Sequence, residues 1–384
     1  MEPIKRQSIK LCVSISLLLA FLSVLTYYFY QVYTGKKLNA SISIPSDVLL
    51  KEYSRTIIQD IGGILDLNVP YSLIHELALP RPVGSKQHRR VIEIISKKLK
   101  QFHMSVFHDK FQSDTVLGVK SFTNIIAIDN LKATSFIILA AHFDSKRTSK
   151  NVDREKFSGA SDAAASCSIL LALAQLLSSY RITTTQLGVM FIFFDGEEAF
   201  KSWTDKDSLY GSKHLAKVFS KRKDEVKLSD LHLIEYESSD SDQKTKAFNV
   251  DSISLFILLD LLGARDDVQV ASFFKNTHKE FLELFKIAKQ VEAYLPPLEQ
   301  QYSQQQKRKP QLMSQRLVDT LVVEDDHLPF KKLGIPILLL VPAPFPKHWH
   351  TLEDSIDNLD GRALYHWTIS LFLYFAAKNQ VSDF

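Results

Sequence analysis

The stretch Gly188-Val189-Met190-Phe191-Ile192-Phe193-Phe194-Asp195-Gly196-Glu197-Glu198 constrains this chain more than any other. A continuous apolar run of this length reads as a strand buried on both faces, because a half-exposed strand would alternate apolar and polar residues. The run stops at Asp195-Gly196, a turn pair, and two adjacent carboxylates follow. Charge delivered to the carboxyl end of a buried strand sits where open α/β sheets keep their active sites. Neighbouring glutamates repel each other, so both ionise readily only if a metal holds one, which leaves the other to carry a proton. An isolated Glu-Glu pair is more often a solvated loop, so the weight rests on what other strand ends carry.

Four further apolar runs read as core strands. Phe122–Ile128 and Ser135–Ala141 precede the central stretch, the second ending in His142-Phe143-Asp144. Ile253–Leu259 ends in Asp260 and Ile335–Val341 leads into a Pro-rich turn and His348-Trp349-His350. Helical spacing recurs from Val48 to Ile61, from Val91 to Phe102 after the Pro80-Arg81-Pro82 break, and from Phe273 to Gln290. An Ala/Leu-rich helix follows the small-residue turn Ser158-Gly159-Ala160-Ser161-Asp162 and runs to Ser178, and a closing helix covers Leu364–Ala377. Residues 221–246 and 299–310 are polar and read as surface loops. Buried strands alternating with helices predict an α/β fold, a three-layer sandwich whose mostly parallel mixed sheet is covered by helices on both faces. With 384 residues, 45% apolar and no internal repeat, one domain over residues 46–384 is the economical division.

The amino terminus is different. Leu11 to Tyr30 carry no charge, and a helix of about 20 residues spans roughly 30 Å, the thickness of a bilayer core. Lys5, Arg6 and Lys10 precede the run, and Tyr27, Tyr28, Tyr30 and Tyr33 mark its far end. A cleaved signal peptide is the alternative, but the run is long for one and lacks a small-x-small exit. The expectation is a cytosolic tail at 1–10, a signal anchor at 11–33, a stem at 34–45 and a lumenal domain from 46, in single-pass type II orientation. Lys36 and Lys37 make the charge bias modest, while the sequon Asn39-Ala40-Ser41 suits a lumenal stem. The chain has two cysteines, and Cys12 falls in the anchor, so a disulfide framework is excluded. The net charge of +4 is small for this length, with acidic and basic residues interspersed, and no nucleic-acid partner is expected.

The strand ends thus bring together His142 and Asp144, Asp162, Glu197 and Glu198, Asp260, and His350, with Glu324-Asp325-Asp326-His327 as a further group. Singly these are weak signals: a lone His is usually a satisfied core or surface residue, and Asp162 would usually be a helix N-cap. Convergence on one side of a sheet changes that, because Asp, Glu and His are the oxygen and nitrogen ligands of a catalytic zinc.

The stretches Leu139–Lys146, Gly159–Ala163 and Phe194–Phe200 resemble the zinc aminopeptidase superfamily. Asp207–Ala216, Leu258–Ala264, Glu324–Phe330 and Pro342–Thr351 resemble, more narrowly, the animal-type glutaminyl-peptide cyclotransferases, and the anchor resembles their Golgi membrane-bound branch. The resemblance implies one zinc per chain on Asp162, Glu198 and His350. It implies Glu197 as general acid/base, hydrogen-bonded with Asp260 and Asp325, and a substrate pocket lined by Trp203, Phe345 and Trp349. His142 belongs to a motif that ligates a second zinc in the aminopeptidases and is metal-free in the cyclases. The implied reaction converts N-terminal Gln of peptides and proteins, with Glu as a second substrate class, to pyroglutamate. The implied location is the Golgi or another secretory-pathway membrane.

Two positions depart from the family pattern. A disulfide commonly joins the positions of Ala141 and Cys167, and here only Cys167 is present. At Leu339 better-known members carry a His near the carboxylates, so the pH dependence is expected to differ. Two other readings compete: a two-zinc aminopeptidase in which His142 and Asp260 complete a second site, and a catalytically inactive binding ectodomain. The cyclase-type stretches argue against the first, and the intact Asp162, Glu197, Glu198 and His350 against the second.

Overall fold

The computed structural model of the chain describes residues 68–147, 156–180, 184, 186–220, 250–266, 268–294 and 311–381, with the backbone of three two-residue strands between 226 and 248. The anchor, stem, sequon and Val48–Ile61 helix expected above lie outside the described residues, as do 299–310 and most of 221–246.

Helices α1 (Asn68–Leu77) and α2 (Lys86–Gln101) come first, followed by strands β1 (Ser105–Ser113), β2 (Lys120–Ile128) and β3 (Ser135–His142). A five-residue π turn, Ala160–Ala164, opens α3 (Ala165–Tyr180), and β4 (Leu187–Phe194) and α4 (Tyr210–Ser220) follow. The short strands β5 (Val226–Lys227), β6 (His232–Leu233) and β7 (Ala247–Phe248) precede β8 (Ile253–Leu259) and β9 (Val270–Ser272). The chain continues with α5 (His278–Tyr294), β10 (Met313–Leu317), α6 (His327–Lys332), β11 (Ile337–Leu340) and α7 (Gly361–Val381).

The main sheet has the order β11-β8-β3-β4-β2-β1-β6. From β11 to β4 neighbouring strands are parallel, and from β4 to β6 they are antiparallel. The expected parallel sheet therefore describes the half that ends in acids and imidazoles. The other half is a β1–β2 hairpin extension whose first strand, with His108, Asp109 and Lys110 in mid-strand, carries no apolar run to announce it.

Alternation along each central strand builds two cores. Val189, Phe191 and Phe193 of β4 join Ile137 and Leu139 of β3 and Ile257 of β8, under α1, α2, α3, α5 and α7. Met190, Ile192 and Phe194 face the opposite side with Ile138, Phe256 and Leu339, under Leu215 and Phe219 of α4 and Phe330 of α6. Fully burying each such phenylalanine contributes about 1.5–3 kcal/mol relative to exposure, so burial on both faces fixes β4 at the sheet centre.

The helices follow from the same logic. In α2 the Ser85 hydroxyl accepts from the His88 N–H, capping the first turn, and Val91, Ile95 and Leu99 form the buried stripe at i, i+4 spacing. Ala160–Tyr180 is long and apolar enough to cross a membrane, but it is buried inside the fold as the core helix. The α5 helix begins at His278, later than its apolar spacing suggests. Phe273 is buried just past β9, and a 3₁₀ turn at Lys275–Thr277 intervenes before the helix starts.

Candidate active site

The parallel half of the sheet brings four strand ends to one edge. His142 closes β3, Glu197 and Glu198 follow β4, Asp260 follows β8, and the loop after β11 carries His350. Asp162 comes from the π turn before α3 and is not its N-cap. Its φ of −113° and ψ of 83° are non-helical, and its carboxylate turns toward the imidazoles instead.

The turn after β4 is held in detail. Gly196 has φ +72°, and a Cβ there would meet the Phe122 ring at 2.4 Å, so the turn requires glycine. Asp144 then aims the glutamates, its two oxygens accepting from the Glu197 N–H at 3.1 Å and the Glu198 N–H at 3.3 Å. Asp195 is tied by His88 Nε2 at 2.7 Å and by the Thr123 N–H at 2.7 Å. The Leu209 N–H donates to the Glu197 carbonyl at 2.9 Å. Leu209, Leu261 and His350 all have φ near +55°, a conformation costly for non-glycine residues that concentrates at functional sites.

Two sets of potential metal ligands share Asp162: Asp162 with Glu198 and His350, and Asp162 with His142 and Asp260. His350 Nε2 lies 3.2 Å from Asp162 Oδ2 and 3.3 Å from Glu198 Oε1. Charge-assisted hydrogen bonds would be shorter, about 2.7–2.9 Å. The edge of a tetrahedral zinc site with bonds of about 2.0–2.1 Å is about 3.3 Å, the spacing seen here. Asp162 Oδ2 and Glu198 Oε1 are also buried without a hydrogen-bond partner. Orphaned acceptors facing an imidazole at that spacing fit a zinc ion, and two carboxylates with one imidazole suit its ligand preference. The other Glu198 oxygen pairs with Lys146 at 3.1 Å.

Burial disfavours charge on His350, but Asp162 and Glu198 outweigh it and push the imidazole up to about 9. Such a site binds positive charge, as proton or as metal. His142 behaves similarly: burial opposes its charge, and Glu197, Asp144, Asp162 and Asp260 together overcome it and raise the imidazole well above its ordinary value. The remaining acids lean toward the neutral form. Burial is the main cause that lifts Glu197 well above the usual carboxylate range, reinforced by Glu198, Asp325 and Asp326 and opposed by His142. Burial again, then Asp260 and Asp326, raises Asp325. Asp260 rises to about 6, mainly through burial. Asp260 accepts from the Leu261 N–H and faces His142 Nε2 at 3.5 Å, and Asp325 accepts from the Asp326 N–H.

Among the aromatics, Trp349 stacks on His350 with ring centroids 3.9 Å apart, and Phe345 meets Trp349 edge-on at 5.0 Å. Both therefore border the His350 side of the site. Trp203 is 37% exposed, and its indole N–H donates to Glu324 at 2.8 Å, joining the loop after β4 to the residue that precedes Asp325. Cys167 is a free, buried thiol that donates to the His142 carbonyl at 3.1 Å, and Ala141 is fully buried. Leu339 packs in the core on the α4–α6 side.

The sequence profile of peptidase family M28 matches residues 124–374. A glutaminyl-peptide cyclotransferase of Drosophila melanogaster is 35% identical over 292 residues, spanning 75% of this chain and 74% of the relative. The chain belongs to the glutaminyl-peptide cyclotransferases of family M28. A Dictyostelium discoideum member is 31% identical over 338 residues, covering 82% of this chain and 83% of the relative. Among solved structures, the glutaminyl cyclase of Macrostomum lignano superposes with a TM-score of 0.68 at 28% identity, over 88% of this chain and 95% of that one. The family's α/β sandwich is therefore this chain's fold as well.

Residues inside the quoted stretches to which the sequence assigned no role also shape the site. Lys146 holds Glu198, and Asp207 accepts from the N–H groups of Phe200, Lys201 and Ser202, fixing the loop that carries Trp203. An aspartate in a polar loop is all the signal such an anchor leaves in sequence.

Proposed function

We propose that this chain is a zinc-dependent glutaminyl-peptide cyclotransferase that turns N-terminal glutaminyl residues of peptides and proteins into pyroglutamate with release of ammonia. The observation that carries the reading is a buried Glu197 of raised proton affinity beside a donor set of two carboxylates and an imidazole. Asp162, Glu198 and His350 would hold one zinc. Bound there, zinc supplies a Lewis acid toward the oxygen of the substrate's γ-carboxamide, an otherwise poor electrophile.

The nucleophile is the substrate's own α-amine, so proximity is built in once the Gln side chain folds back in the pocket. A bond forms between that nitrogen and the γ-carboxamide carbon, and the bond from this carbon to the amide nitrogen breaks. The α-amine gives up a proton, the departing nitrogen gains one, and Glu197 carries it between them. Burial first, then Glu198, Asp325 and Asp326, raise the proton affinity of Glu197 so that it can return the proton as the acid, with Asp260 part of the same acidic surround. Trp349 and Phe345 wall the site beside His350. Trp203 is the third wall of the pocket.

The reading includes the membrane. The uncharged run Leu11–Tyr30, the basic residues before it and the sequon after it support a type II anchor with the enzyme in the lumen of the Golgi or a neighbouring secretory compartment. Peptides beginning with Gln are the substrate class, and those beginning with Glu a second one.

The test is ammonia release from a Gln-initiated peptide, followed before and after chelation. Release lost on chelation and restored by zinc supports the reading; full release from metal-stripped protein removes its basis.

A further inference from the structure

The loop that carries Asp162 is gripped by two groups that no part of the reaction uses. Arg81 lies between two prolines ahead of α2 and is completely buried. Its Nε donates to the Phe143 carbonyl at 2.6 Å, beside the end of β3. Its two terminal nitrogens donate to the carbonyls of Leu79 at 3.2 Å, Ser158, Gly159 at 3.1 Å and Asp162 at 3.4 Å. A guanidinium has five N–H donors, and here five carbonyls take them. Its own N–H donates to the Ser145 hydroxyl at 2.9 Å, and its carbonyl accepts from the Ser145 N–H at 3.3 Å. Arg81 thus joins the strand end that bears His142 and Asp144 to the loop that bears Asp162.

Asp354 holds the same loop from elsewhere in the chain. It lies four residues after His350, is buried, and accepts the Ser161 N–H at 2.7 Å. Its carbonyl accepts from the Ala160 N–H at 3.2 Å and the Ser158 hydroxyl at 2.9 Å. Its N–H donates to the Thr351 carbonyl at 3.1 Å, which ties it to the His350 turn. Every residue from Ser158 to Asp162 is therefore bonded to Arg81, to Asp354 or to both.

We propose that Arg81 and Asp354 are positioning residues of the metal site, fixing the backbone around Asp162 so that its carboxylate is set relative to Glu198 and His350 before the cation arrives. The geometry explains why a buried guanidinium is spent on carbonyls alone. A lysine has three donors on a point charge and cannot bridge two segments with a rigid fork. This inference rests on the zinc reading of the site.

The experiment measures zinc affinity rather than turnover. The full chain is stripped of metal, and zinc is titrated against a chromophoric chelator for the wild type, Arg81→Lys, Asp354→Ala and Asp354→Asn. Folding is followed by circular dichroism. Arg81→Lys and Asp354→Ala are expected to bind zinc about 10- to 100-fold more weakly, the usual cost of losing support behind a ligand. Asp354→Asn, which keeps an acceptor oxygen for the Ser161 N–H, is expected to stay within about threefold of the wild type, because geometry rather than charge is the cause. Wild-type zinc affinity in folded Arg81→Lys and Asp354→Ala would overturn the proposal. So would a failure of both to fold even with excess zinc, which would assign the two residues to the fold alone. A wild type that binds no zinc would instead defeat the metal reading beneath it.

Discussion

His142 Nε2 lies 3.0 Å from Asp162 Oδ1. The other oxygen of that carboxylate faces His350, so a single aspartate stands between two imidazoles. This sharing bears on how many cations the site takes. His142 is enclosed by Asp144, Asp162, Asp260 and Glu197, which together outweigh burial and raise its proton affinity, so a proton competes with a second metal there. Native mass spectrometry is expected to find one zinc per chain. Two zincs per chain would return the aminopeptidase reading.

The adjacent glutamates are expected to separate by role. Glu197→Gln keeps size and polarity but cannot exchange a proton. Zinc should remain bound while turnover falls about 100-fold or more. Glu198→Gln should weaken zinc binding itself, because a neutral amide is a poor ligand for such a cation. Metal content and kcat, measured on both variants, check the assignment, and the opposite pattern would exchange the two roles.

The His88–Asp195 pair should make stability depend on pH. Burial opposes charge on both groups; for His88 the carboxylate at 2.7 Å outweighs burial and raises the imidazole, while Asp195 stays raised. A raised His88 contributes stability that is fully present below its unfolded value of about 6.5 and lost as pH rises through its folded value. The raised Asp195 acts in the same direction, because the folded state binds its proton more tightly than the unfolded state does. Urea unfolding should therefore show stability declining as pH climbs above about 6.5. His88→Ala, which leaves Asp195 buried without its partner, should cost about 3 kcal/mol at neutral pH.

The proposed anchor should be dispensable for chemistry. The compact unit from Pro45 to Phe384 contains every residue assigned to the site. A chain starting at residue 35 is expected to be soluble and to keep the full chain's kcat and zinc content. Sedimentation with membranes, followed by an activity assay, checks both points.

What the sequence disclosed, and what it did not, divides along physical lines. β3, β4, β8 and β11 are legible because burial on both faces demands apolar runs, and acids at their ends stand out by contrast. The strand β1 is half exposed and polar in the middle, and its pairing with β2 comes from register rather than composition. Asp162 resembles an N-cap in sequence because capping chemistry and metal ligation use the same side chain; only the non-helical π turn distinguishes them. Arg81 was invisible because its partners are backbone carbonyls, which every residue owns, spread from Leu79 to Asp162. Support built from main-chain atoms leaves no pattern of residue types.

The central claim is tested most directly by the fate of a peptide that begins with Gln. The full chain is incubated with it, and the products are resolved by mass spectrometry. The account predicts a peptide lighter by roughly 17 Da, the mass of ammonia, with its amino terminus blocked and no shortening of the chain. Free glutamine together with a peptide one residue shorter would contradict it.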